Sequence, residues 1–282
     1  RQQRATCRRL LELLIQFTNN AAAFLERKGD DIVGHSLRYL WRGLLHEASA
    51  DLQIFEAAFE QRLPTSGRKL AQPENLFTAD IISEHALGQA VDNGFLPPTP
   101  IVTYLKEKIT VRPGPYAAVV LISVAYATML EPVKKRGGQL SLPRVSRDLL
   151  AIPHEIGHHI FWQARMPGEK LTVHEQLQKR LKQAKIWEWD WRRAWLEEIF
   201  ADVYGLLVAG PVMALSFQDL LTDDPPPEFV QDTGHHPIPA LRPFIQTQIL
   251  RGITDAAGVQ NYRRAPEQLD KRWQQWVTEN AK

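Results

Sequence analysis

The chain has 282 residues, with 34 Lys and Arg against 32 Asp and Glu, 44% hydrophobic and 23% charged residues, and one Cys. Such a composition buries a core in one large domain or two smaller ones, and it excludes a disordered chain, a collagen-like rod and a disulfide scaffold. A formal charge of +2 gives no overall field for nucleic acid, Cys7 alone fits a reducing compartment, and no apolar run reaches the roughly 20 residues of a membrane span. A cytoplasmic chain with no nucleic-acid partner is therefore expected. The basic cluster Arg1, Arg4, Arg8 and Arg9 reads as a solvated helix start, and opening on Arg1 rather than Met suits a fragment or a processed form.

Apolar residues at helical spacing predict long amphipathic helices over residues 5–27 and 36–63, broken at Pro64-Thr65-Ser66-Gly67, and a further helix over residues 79–92. Pro97-Pro98-Thr99-Pro100 marks a change of texture. Short β-prone runs follow at Ile101–Tyr104, Ala118–Ala125 and Leu140–Val145, and they predict a small sheet. From Arg147 onward the pattern is helical again, with loops at residues 166–168, 222–227 and 234–243. The expected organisation is a helical amino-terminal region, residues 1–95, and a second region, residues 96–282, with the sheet in 96–146 and helices in 147–282.

The chemistry concentrates in Pro153-His154-Glu155-Ile156-Gly157-His158-His159. On a helix, His154 and His158 lie on one face four residues apart, where two imidazoles can share one Zn²⁺, and Glu155 can reach water at that metal. The pairs His46-Glu47 and His174-Glu175 lack a partner His at the required place and cannot form such a site. A catalytic zinc needs a third protein ligand and an open fourth position. Downstream, Glu198 and Asp202 share a helix face at i, i+4, so one carboxylate can bind the metal while the other accepts the free N–H of a ligand ring. His159 points about 100° away from the ligand face.

His154-Glu155-x-x-His158 followed by Glu198-x-x-Ala201-Asp202 resembles the gluzincins, the thermolysin-like zinc metallopeptidases. The resemblance implies His154, His158 and Glu198 as ligands of one Zn²⁺ per chain, Glu155 as general base, and Asp202 as the carboxylate that orients a ligand His. Glu197 competes for the ligand role but has Ala201 four residues on. His236-Pro237-Ile238-Pro239-Ala240-Leu241-Arg242 is similar to the His-Pro segment with a trailing Arg of the small members, the minigluzincins, and implies His236 or Arg242, with His235 adjacent, as donor to a developing oxyanion. The chain departs from the pattern at Pro153, which must start or bend the helix. It departs again in the 40-residue interval from His158 to Glu198, which implies an inserted helical excursion.

The fold expected is α+β and mostly helical, with a gluzincin-like core of a short sheet and two motif helices behind an all-helical amino-terminal region. The function expected is zinc-dependent endopeptidase action on a peptide or protein substrate. By the resemblance, either Ala118–Ala125 or Leu140–Val145 would be the edge strand that pairs with an extended peptide. Residues 1–95 carry no chemistry and suit a protein partner, which gives two alternatives: a regulator that keeps the zinc site, or a latent peptidase capped by these helices. Trp187, Trp191 and Trp195 form an aromatic stripe, expected to pack in the core, and Tyr204 is likewise expected in the core.

Overall fold

The computed structural model describes helical positions within residues 8–27, and residues 37–63, 72–112, 119–125, 149–186, 190–222, 229–257 apart from 233 and 235, and 262–280. It is mostly helical with one small mixed sheet. Its named elements are α1 (Leu37–Glu60), α2 (Gln72–Asp92), β1 (Ile101–Lys106), β2 (Thr110–Arg112), β3 (Val120–Ala125), α3 (Ile152–Gln163), α4 (Val173–Gln183), α5 (Asp190–Ala209), α6 (Pro211–Leu221), α7 (Arg242–Ala257) and α8 (Ala265–Asn280). The chain divides into two compact units, residues 1–81 with 98–129, and residues 82–97 with 130–282. The sheet is grouped with the amino-terminal helices, a division that runs differently from a boundary at residue 96.

In the first unit the strand order is β1-β3-β2, with β1 parallel and β2 antiparallel to β3. Phe55 and Ala58 of α1 pack on Val102, Tyr104, Val119 and Leu121, and five consecutive residues of β3 are buried. A run buried on both faces is what a central strand needs. Among the described residues, side chains bond the edge of β1 that faces away from β3. Gln61 donates to the Leu105 carbonyl at 3.2 Å and accepts from its N–H at 2.7 Å, while Arg62 donates to the Thr103 carbonyl at 2.9 Å and pairs with Asp80. Satisfying these groups removes the template on which another strand would form.

The expected edge strand Ala118–Ala125 is thereby corrected. β3 is the centre of the sheet, flanked on both sides by paired strands, because its continuous apolar run belongs inside. The alternative, Leu140–Val145, lies outside the described residues.

In the second unit Ile152 opens α3 with Pro153 in its first turn, where the missing N–H costs no intrahelical bond. Pro153 therefore starts the helix, and His154 and His158 follow in regular geometry. α4 is the helical excursion that the long interval implied. It begins on a capping box in which the Thr172 hydroxyl accepts from the Glu175 N–H and the Glu175 carboxylate accepts from the Thr172 N–H. α5 closes on α3 through small residues. A Cβ at Gly157 would lie 2.7 Å from the Ala201 Cα, and one at Gly205, a turn further along α5, would lie 2.4 Å from the Met213 sulfur and 3.2 Å from the His154 amide nitrogen. Leu206, Met213, Ala214, Leu250 and Leu269 form the core beneath α5, and Trp273 with Leu221 and Phe229 forms its neighbour.

Candidate metal centre

α3 and α5 meet where Gly157 faces Ala201, and that close approach sets the distance between the His and carboxylate side chains. His154 Nε2 and His158 Nε2 are 3.2 Å apart. Glu198 brings Oε2 to 3.5 Å from His154 Nε2 and Oε1 to 3.5 Å from His158 Nε2. Bonds of about 2.0–2.1 Å at the tetrahedral angle would set zinc donors about 3.3–3.4 Å apart. With one donor atom from each, His154, His158 and Glu198 lie within 4.8 Å of one another, and among the described residues they are the group that could hold a metal ion.

The other ring nitrogens explain why both Nε2 atoms converge. His154 Nδ1 lies 3.0 Å from Asp202 Oδ1, close in distance though not in hydrogen-bond alignment, and His158 Nδ1 lies 2.9 Å from Glu197 Oε1. A ring whose Nδ1–H faces a carboxylate leaves Nε2 as its acceptor. With both rings neutral, two such lone pairs and a carboxylate could hold a cation.

The electrostatics agree. Burial alone would lower the His154 pKa, but Asp202 and Glu198 outweigh it and push the value up to about 9. Burial alone would raise the carboxylates; instead the His154 and His236 contacts and the Arg242 charge hold Glu198 well below the usual carboxylate range, and Arg242 with His154 brings Asp202 down to about 2. The two carboxylates are thus held ionised by the Arg242 charge and by the His154 ring.

Arg242, the first residue of α7, is buried. Its Nε and Nη2 donate to the two Asp202 oxygens at 2.9 and 3.0 Å, and Nη2 donates to Glu198 Oε2 at 3.0 Å. Its guanidinium carbon sits 4.3 Å from the centre of the Phe217 ring. Nη2 also lies 3.4 Å from His154 Nε2, so the guanidinium stands against two members of the candidate metal group as well as Asp202. His236 is different: it is 57% exposed and holds Nδ1 3.1 Å from Glu198 Oε1. His235 lies outside the described residues. Glu155, half-buried, follows His154 in the first turn of α3.

Among the residues of lesser expectation, burial pushes the His159 ring down to about 4, and it takes no place among the three donors. Tyr204 donates its hydroxyl to the Ala86 carbonyl at 2.5 Å and is half-buried, with burial pushing its pKa up to about 12. Trp195 is buried. Trp187, Trp189 and the side chain of Trp191 are outside the described residues.

Sequence reasoning set Glu197 aside, yet it contacts His158 and accepts the Trp162 indole N–H at 2.8 Å. The available signal was Trp162 itself, four residues beyond His158 on the ligand face of α3. Sequence reasoning also passed over Gly157, Ala201 and Gly205, whose small size at facing positions marks a close helix crossing.

No family model, curated protein or solved structure matches the chain. The functional reading therefore stands on the site. No described helix is long and apolar enough to cross a membrane.

Proposed function

We propose that the chain is a zinc-dependent metallopeptidase of the gluzincin type that hydrolyses internal peptide bonds. The observation that carries this reading is the convergence of His154, His158 and Glu198, which bring one donor atom each to within 4.8 Å of one another, with a carboxylate, Glu155, one residue after His154. A donor set of two imidazoles and one carboxylate is the kind used by catalytic zinc, since structural zinc in closed sites favours Cys.

Zinc, when bound, supplies Lewis-acid polarisation of water and of the carbonyl under attack. The protein's own groups do the rest. Glu155 takes a proton from the attacking water at its carboxylate and returns it to the leaving amine. Asp202 faces the His154 ring, and Arg242 fixes Glu198 and Asp202. His236, exposed beside Glu198, would donate to the developing oxyanion.

Metal analysis of the purified chain tests the reading. One zinc per chain, lost in both His154→Ala and Glu198→Ala, supports it, and full occupancy in either variant overturns the ligand set.

A second reading, a zinc-holding regulator that binds a protein partner, draws on α1. Leu45, Leu52 and Phe59 are exposed there at seven-residue steps, a face suited to a partner helix. The two readings part on one result, since a regulator loaded with zinc leaves every member of a peptide library uncut.

A further inference from the structure

We propose that Glu197 is the positioning residue of His158: its carboxylate fixes the tautomer and angle of the ring so that Nε2 faces the metal, and Trp162 holds that carboxylate in place. The proposal rests on the metal reading above and adds to it a carboxylate of α5 that supports the site without being a ligand.

One oxygen carries the argument. Glu197 Oε1 lies 2.9 Å from His158 Nδ1 and accepts the Trp162 indole N–H at 2.8 Å. A carboxylate oxygen has two lone-pair directions, enough for both donors, and a neutral imidazole whose Nδ1–H is bound has Nε2 as its one acceptor. That Nε2 is the atom 3.2 Å from His154 Nε2 and 3.5 Å from Glu198 Oε1. The two nitrogens of an imidazole point apart, so an oxygen bound at Nδ1 cannot reach a metal on Nε2. Glu197 is therefore excluded as a ligand by the contact that makes it a support.

Each ligand ring thus has its own carboxylate on α5, Asp202 for His154 and Glu197 for His158. They differ in access. The Asp202 side chain is fully buried and held by Arg242, whereas that of Glu197 is 34% exposed and held by Trp162, itself 42% exposed. His158 is consequently the ligand whose orientation is set at the solvent side of the site. Without Glu197 the ring can turn and its tautomer is unspecified, a loss that lowers metal affinity by about 10- to 100-fold in comparable sites.

The test is Zn²⁺ affinity, read by competition with a chromophoric chelator, together with the visible spectrum of the Co²⁺-loaded protein. The full chain is compared with Glu197→Ala, Glu197→Gln, Trp162→Phe and Glu198→Ala. We expect Glu197→Ala to bind one ion about 10- to 100-fold more weakly with shifted cobalt bands. Glu197→Gln, which keeps an oxygen to accept Nδ1–H, should recover part of the loss, and Trp162→Phe should weaken binding by a smaller factor. If Glu197→Ala and Glu197→Gln change the melting temperature but leave affinity and cobalt spectrum unaltered, the residue merely packs and the proposal is overturned. Complete loss of metal in Glu197→Ala, equal to that in Glu198→Ala, makes it a ligand and also overturns it. Failure of the parent chain itself to bind Zn²⁺ or Co²⁺ overturns the metal reading and this proposal together.

Discussion

Gly157→Ala is the substitution that most sharply tests how the fold builds the site. The added methyl would stand 2.7 Å from Ala201 Cα, 3.0 Å from its carbonyl oxygen and 3.2 Å from its Cβ. Carbon atoms in contact rest at about 3.5–4.0 Å, so α3 and α5 must separate by roughly 1 Å. His158 directly follows Gly157, and Glu198 is three residues before Ala201, so the separation passes into the donor triangle. Edges now at 3.5 Å would approach about 4.5 Å, beyond the roughly 3.4 Å that zinc bonds can span. Overpacking alone costs about 1–3 kcal/mol of stability. We expect zinc affinity to fall by about 100-fold or more, the order of loss that an ångström of misplacement causes at a reacting centre. Gly252→Ala on α7 is the control: its Cβ would meet nothing within 4 Å, and the change should be neutral or stabilise by up to about 1 kcal/mol. Calorimetric zinc titration and thermal melting read both variants. A Gly157→Ala protein that binds zinc within about twofold of the parent and melts at the same temperature would show that this helix crossing does not set the donor spacing.

Three further predictions concern separate parts of the account. Arg242→Met leaves Glu198 and Asp202 without their buried counter-ion, so denaturant unfolding should show a loss of about 3–5 kcal/mol; a loss below about 1 kcal/mol would deny that the guanidinium holds the carboxylates. Thr172→Ala removes the cap of α4 and should cost about 1 kcal/mol in the same assay. The Glu175 carboxylate, held below its ordinary 4.5 by bonds from the Thr172 N–H and hydroxyl, contributes at and above pH 4.5 and loses its contribution as pH falls through the lower folded value. The stability difference between the parent and Glu175→Ala should therefore shrink on acidification below pH 4.5, and a difference that grows would contradict this sign.

The members of the candidate metal group were legible because each pair is local: His154 with His158 and Glu198 with Asp202 are both i, i+4 on one helix, and the resemblance then singled out Glu198 of the second pair. What joins the two helices was not legible. Glu197 was judged by what stood four residues along its own helix, while its partner, His158, lies 39 residues away on another. Arg242 has the same history: a trailing Arg after a His-Pro segment reads as an oxyanion donor, and only the packing of α7 reveals a guanidinium buried under two carboxylates. Within the sheet, β1 and β3 followed from their apolar runs, but β2 has only three residues and too little pattern to read. The order β1-β3-β2 is a matter of non-local pairing, so the central place of Val120–Ala125 could not be seen from the run itself.

The proposed chemistry is peptide-bond cleavage at this site with Glu155 as base. It is tested most directly by comparing the zinc-loaded chain with Glu155→Gln, at equal metal content, on an unbiased peptide library. The account predicts internal cleavage by the parent and a loss of about 100-fold or more in the variant. Equal cleavage by the two proteins, or no cleavage by the parent at full zinc occupancy, would contradict it.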